Sequence, residues 1–210
     1  MKLVSKSLAD QVYEQVKEMI LSGQIQCGEK ISEDSLAMQF EVSRTPIREA
    51  LRRLSTYGLV IMEPRSHTSV IEISEKESQD IGLFRVNLEN FAIDNMDMDT
   101  FKASLEDICR YSAECQYALT IGNRAKAFEL DSLFHVALIK TANNTAFTDT
   151  YERLDAKIQL LRVRQNESDE KLLEYIMQHT RLIELLKSGR KEEAKDLMRI
   201  HILHNVNMSL

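Results

Sequence analysis

Glu33-Asp-Ser-Leu-Ala-Met-Gln-Phe-Glu-Val-Ser-Arg-Thr-Pro-Ile-Arg-Glu-Ala-Leu-Arg-Arg-Leu54 decides how this chain is read. Ser32 and the acidic pair after it start a helix that runs through Phe40. Ser43 caps a second helix, with Pro46 in its first turn, where a missing N–H costs little. Arg44, Arg48 and Arg52 fall at i, i+4 and i+8 and line one face of it. With Arg53, four arginines stand against one glutamate over residues 43–56. Two short helices joined by a tight turn, the second with a basic face, is the layout of a helix that enters a DNA groove. Arginine pairs with guanine edges or phosphates. Ser43, Thr45 and the N–H groups of the helix start suit phosphate. The spacing alone also fits a solvated basic stripe on an ordinary helix.

Outward from that stretch, Leu8, Val12, Val16 and Ile20 recur at helical spacing, with Ser7 as N-cap and Gly23 as stop. Gly58 ends the basic helix. Residues 59–62 and 69–73 are strand-like and flank Glu63-Pro-Arg-Ser-His-Thr68. This predicts a hairpin, or wing, with Arg65 and His67 near its tip. Residues 1–74 therefore read as a winged helix-turn-helix. Ser74, with Glu77 as its capping-box partner, opens the rest. From there only helical patterns follow, near 75–96, 99–119, 123–142, 146–166, 169–188 and 190–207. The fold class is mainly α, with 75–210 as an all-helical second domain.

Composition agrees with a helix-rich globular protein: 43% hydrophobic, 29% charged, and only 6 Gly and 2 Pro in 210 residues. The net charge of −6 speaks against wholesale polyanion coating, so the local excess at the basic helix is what counts. Cys27, Cys109 and Cys115 form no Cys-x-x-Cys pair and read as reduced thiols of a cytoplasmic protein. The first residues lack the apolar run of a signal peptide. No stretch approaches the roughly 20 residues of a membrane span.

In the second half, Asp131 and His135 lie at i and i+4. His179 and His201 lie on two later helices that a turn at Ser188-Gly189 can set side by side. One carboxylate and three imidazoles suit a divalent transition metal such as Zn, Ni, Mn or Fe, without choosing among them. The competing reading is of ordinary surface or core histidines.

Gly28-Glu-Lys-Ile-Ser-Glu33, Leu36-Ala37, Val42-Ser-Arg-Thr-Pro-Ile-Arg-Glu-Ala-Leu51, Leu54 and Gly58-Leu-Val60 together resemble the N-terminal domain of GntR-family bacterial transcription regulators. Phe84-Arg-Val-Asn-Leu-Glu89, Asp131-x3-His135, Asn143-Asn144, and His179 and His201 around Gly189-Arg-Lys-Glu-Glu-Ala194 resemble the FCD domain of the FadR-like branch. The first resemblance implies a homodimer that binds double-stranded operator DNA through Arg44, Thr45 and Arg48, with the wing tip in the minor groove. The second implies a six- to seven-helix bundle with a metal on Asp131, His135, His179 and His201. It also implies a pocket for a small carboxylate-containing effector, faced by Arg85. Arg162 and Arg164 are further cations, of which one at most faces inward.

Two departures stand out. Ser66-His67-Thr68 replaces the wing-tip glycine of many relatives, which offers His67 to a phosphate or base edge. Asp34 replaces an arginine that helps some relatives hold DNA. The expected function is a ligand-responsive regulator, most often a repressor in this family. The alternatives are a metal-dependent enzyme fused to a DNA-binding head, a regulator whose metal is purely structural, and a dimerising body with no ligand. No nucleophile motif or separate general base supports catalysis.

Overall fold

The computed structural model describes residues 7–63, 66–164 and 167–204. It divides into two compact units, Met1–Glu72 and Ile73–Leu210.

In the first unit, α1 (Leu8–Leu21) is closed by a full capping box between Ser7 and Asp10. A short strand β1 (Lys30–Ile31) precedes α2 (Glu33–Gln39), α3 (Arg44–Thr56), and strands β2 (Val60–Met62) and β3 (Thr68–Val70). Ile47, Ala50, Leu51 and Leu54 recur at three- and four-residue spacing on α3 and are fully buried, as is Val16 of α1. This apolar stripe anchors α3 and leaves its opposite face to solvent. The sheet order is β1-β3-β2, all antiparallel, with Lys30 opposite Ser69 and Val60 opposite Val70.

The wing was expected as two strands and has three. β1 is only two residues long, too short to show the alternation that reveals a strand. It exists because β3 offers it a pairing edge. Gly28 fits this entry to the sheet: φ is +77°, and a Cβ there would meet the Glu72 carboxylate at 2.6 Å. The turn between α2 and α3 holds Glu41 at φ +55°, a left-handed position for a residue with a side chain.

Ser43 is the N-cap of α3 but makes no side-chain cap hydrogen bond. An N-cap hydroxyl accepts from the N–H of the second or third helical residue. The third here is Pro46, which has none.

The second unit contains α4 (Glu75–Asp94), α5 (Met98–Thr120), α6 (Arg124–Lys140), α7 (Thr145–Arg164), α8 (Asp169–Lys187) and α9 (Lys191–Leu203). Six helices are thus present among the described residues of this unit. Ser74 accepts from the Glu77 N–H as expected (3.1 Å). The Glu77 carboxylate, however, does not complete the capping box; it pairs with Lys157 Nζ on α7 at 2.9 Å. The core runs through Phe101, Ile108, Phe134, Leu138, Leu182, Met198 and Ile202. Asn143 takes φ +49° after α6, a conformation asparagine tolerates. Among the described residues no helix is long and apolar enough to cross a membrane.

Candidate metal centre and nucleic-acid interface

The buried stripe of α3 turns Arg44, Thr45, Arg48 and Arg52 outward, and all four are exposed together with Ser43. Arg53 points the other way. Its guanidinium lies 4.2 Å over the Tyr13 ring and pairs with Asp10. Arg53 thus ties α3 to α1, and three arginines remain on the outward face. Two of these are held by carboxylates at the start of α2. Arg44 Nε lies 2.6 Å from Asp34 Oδ1, and Arg48 Nε 2.7 Å from Glu33 Oε2. Asp34 is therefore a partner of Arg44. The wing side of the same face carries His67, whose Nδ1 is 2.7 Å from Ser66 Oγ and 3.7 Å from Glu63 Oε2. An open cleft of about 680 Å³ lies here, lined by Lys30, Ser32, Glu33, Arg48, Met62 and His67 among others. Arg65 lies outside the described residues.

In the second unit, Asp131 and His135 project from one face of α6, His179 from α8 and His201 from α9. The Ser188-Gly189 turn, with Gly189 at φ +70°, reverses the chain between α8 and α9 and brings the last two together. All four side chains are buried, and one ligand atom from each lies within 4.8 Å of all the others. His135 Nε2 is 3.1 Å from His201 Nε2, which is 3.3 Å from His179 Nε2. His179 Nε2 is 3.2 Å from Asp131 Oδ1. Donors about 2.1 Å from a common ion stand about 3.0–3.4 Å apart when adjacent, so these separations fit a single coordination shell.

The tautomers support the same reading. His135 Nδ1 faces Glu89 Oε2 at 2.7 Å, and His201 Nδ1 faces Gln178 Oε1 at 3.2 Å. Both partners accept, so both Nδ1 atoms carry the proton and both Nε2 atoms present lone pairs. Two lone pairs 3.1 Å apart repel unless a cation sits between them. Burial holds His135 at about 4 and pushes His201 well below its ordinary value, so both imidazoles are neutral and able to ligate. Burial opposes the charge of Asp131, yet the Arg162 guanidinium and the facing histidines keep its carboxyl well below the usual range. Phe134 stacks on His179 with ring centroids 3.9 Å apart and fixes that ring from the apolar side.

Around the cluster lies a second layer of buried polar groups. Arg85 Nε donates to Glu89 Oε1 at 2.6 Å, and the Tyr151 hydroxyl donates to the same oxygen at 2.7 Å. Arg85 is thus buried and already engaged along one edge, but its Nη2 has no hydrogen-bond partner. Arg162 makes a close ion pair with Asp131 Oδ2 through Nη2, while its Nη1 is buried without a hydrogen-bond partner. Arg164 is exposed and donates to the Ile73 carbonyl at 2.8 Å, so of these two only Arg162 faces inward. Glu89 entered the sequence reading only as part of the motif beside Arg85, and Tyr151, Asp155, Gln159 and Ser132 had no role in it. The signal was present on α7, where Asp155, Gln159 and Arg162 fall at i, i+4 and i+7, a polar stripe that only burial makes meaningful.

The family "Bacterial regulatory proteins, gntR family" matches residues 8–70, and the "FCD domain" family matches residues 80–204. The "Uncharacterized HTH-type transcriptional regulator YdhC" of Bacillus subtilis (strain 168) is 29% identical over 196 residues, 93% of this chain and 88% of that protein. The gluconate operon transcriptional repressor of the same strain is 25% identical over 192 residues, 89% and 78% of the two. Among solved structures, E. coli McbR/YncC has a TM-score of 0.79 at 22% identity and covers 96% of each chain. A putative transcriptional regulator GntR from Rhodococcus sp. RHA1 has 0.82 at 17%, covering 94% of this chain and 95% of that one. These structures share the expected mainly α fold with its N-terminal winged helix-turn-helix. The matching families and relatives are transcription regulators and not enzymes, so the reading of a metal-dependent enzyme falls.

Proposed function

This chain belongs to the GntR family of bacterial regulatory proteins, in the branch that carries an FCD domain, and from that premise we propose a repressor whose hold on operator DNA is set by a small organic acid. GntR-family regulators bind operator DNA, and residues 1–74 are the reading domain. Arg44, Arg48, Arg52, Ser43, Thr45 and His67 form its contact face, and the contact expected of Arg65 falls outside the described residues. Residues 75–210 bind the effector and join two chains. Leu83, Phe84 and Phe91 give α4 an exposed apolar stripe that suits a homodimer. Operator binding places the protein's work in the cytoplasm.

The observation that carries the effector reading is the buried Asp131, His135, His179 and His201 cluster, with the incompletely partnered guanidiniums of Arg85 and Arg162 beside it. A divalent transition metal (Zn, Ni, Mn or Fe) held there supplies positive charge to an acid's carboxylate. The chain's own part is to orient the ligand set through Glu89 and Gln178, to exclude water by burial, and to grip the acid with guanidinium donors. An acid that binds one arrangement of the bundle better than another shifts the population and with it operator affinity.

Elemental analysis of gently purified protein, beside His179→Ala, is the first test. The expected result is one metal per chain, lost in the variant. Operator affinity is then titrated against carboxylates. Absence of metal from both proteins would withdraw the site. Metal retained with no change in operator affinity on binding any acid would make it a structural staple.

A further inference from the structure

Asp155, Gln159 and Arg162 share the inward face of α7, each more than nine-tenths buried. At one end, Ser132 Oγ and Gln159 Nε2 (2.5 Å) both donate to Asp155 Oδ2. Gln159 Nε2 also lies 3.1 Å from Ser132 Oγ. The other oxygen, Asp155 Oδ1, is buried with no hydrogen-bond partner. The nearby Tyr151 hydroxyl does not serve it, because it donates to Glu89. At the opposite end are the unpartnered Nη1 of Arg162, whose Nη2 pairs with Asp131 Oδ2, and the unpartnered Nη2 of Arg85 on α4. Buried polar atoms without partners are costly, and the natural remedy is a ligand of complementary polarity. The face therefore calls for an acceptor at the arginines and a donor at Asp155.

Charge narrows the ligand further. Three buried carboxylates (Glu89, Asp131, Asp155) stand against two buried guanidiniums (Arg85, Arg162). A divalent ion in the cluster leaves one surplus positive charge, which one added carboxylate offsets and two overshoot.

From the reading of a small acid as effector, we infer that this acid is a hydroxylated monocarboxylate, its carboxylate held by Arg162 and Arg85 and a hydroxyl donating to Asp155 Oδ1. Asp155 is then the residue that decides specificity. A dicarboxylate sets its second charge against Asp155, and a plain fatty acid leaves Oδ1 bare. Asp155 and Arg162 stand seven residues apart on α7, about 10 Å of axial rise between their backbones, and six-carbon acids probe that spacing.

The test uses the metal-loaded full-length protein and calorimetry with six-carbon probes: the aldonates D-gluconate, D-galactonate and D-mannonate, the dicarboxylate adipate, and hexanoate. At least one aldonate is expected to bind about 100-fold more tightly than adipate or hexanoate, since a site built for a hydroxyl rejects analogues without one. In Asp155→Asn the amide oxygen keeps the Ser132 and Gln159 donors, and the NH2 replaces the bare acceptor with a donor. The aldonate preference over adipate should then fall by at least about tenfold, with metal content unchanged. Adipate or hexanoate binding wild-type protein as tightly as every aldonate overturns the inference and needs no variant. An unchanged preference in metal-loaded Asp155→Asn also overturns it. Adipate binding that is lost in Arg162→Ala would leave the acid pocket standing and remove only the hydroxyl assignment. No binding by any probe removes both.

Discussion

Replacing Glu89 by alanine deletes the carboxylate on which the buried polar layer converges. Its side chain is 1% exposed and accepts from Arg85 Nε, the Tyr151 hydroxyl and His135 Nδ1 at 2.6–2.7 Å. Alanine leaves a buried guanidinium unpaired and two further donors unsatisfied. Removing one partner of a buried ion pair costs about 3–5 kcal/mol. The carboxyl's own titration gives a similar size. Burial would raise it, yet the positive charges of His135 and Arg85 and its hydrogen bonds hold it at about 2, against an ordinary 4.5. His135 is itself neutral at neutral pH, so Arg85 and the two other donors are the lasting cause. A depression of that extent corresponds to roughly 3 kcal/mol, present above the unfolded value and lost as pH falls toward 2. Against a typical total of about 5–15 kcal/mol this is a large fraction. Chelator-treated Glu89→Ala, unfolded thermally and in urea, should lose about 3–5 kcal/mol, and Glu89→Gln less, since it keeps one acceptor. A loss in Glu89→Ala below about 1 kcal/mol would refute the claim that this carboxylate holds the layer together.

Other outcomes are expected at single positions. Arg48→Ala should weaken operator binding by about 1–3 kcal/mol and relax preference at one base pair if it reads a base; a uniform loss with a shallower salt slope in binding titrations marks a phosphate contact instead. Glu41→Gly should stabilise the first unit by about 0.5 kcal/mol in denaturant unfolding, because relief of the left-handed penalty exceeds the added chain entropy. Leu51→Ala, at a fully buried position of α3, should cost about 2–5 kcal/mol and reduce DNA binding through loss of folded protein, as circular dichroism would register. Chelator-treated protein should lose stability as pH drops from 6.5 toward 4. His135 is held at about 4 when folded, so the unfolded chain binds more protons in that window; a flat profile there would contradict the burial of His135.

Much of the architecture was legible because local signals agreed with one another. The caps at Ser7 and Ser74 and the glycines at 23, 58 and 189 punctuate helices whose apolar spacing is regular. Where a residue had two possible partners, local reasoning failed. Glu77 could have closed a capping box and instead reaches Lys157, eighty residues away. Ser43 could have capped α3, but its proper donor position is a proline. Arg52 and Arg53 are neighbours of equal charge, and only the packing of α1 decides that Arg53 is structural. Asp34 reads as a lost DNA contact in one dimension and as the partner of Arg44 in three.

By itself the sequence determined the helices and the basic face of α3, because each depends on spacing along one helix. It offered Asp131, His135, His179 and His201 only as a candidate cluster beside the reading of ordinary histidines, and the packing of α6, α8 and α9 brings them together. Tertiary structure alone decided which polar residues are buried and which atoms remain unpartnered. The sequence could not choose between Arg162 and Arg164, and Asp155 and Gln159 form with Arg162 a polar stripe on α7 that in one dimension reads equally well as a surface face. Their meaning arises when α4, α6 and α7 remove them from water, since a charge that costs little in solvent must find a partner in a medium of low dielectric.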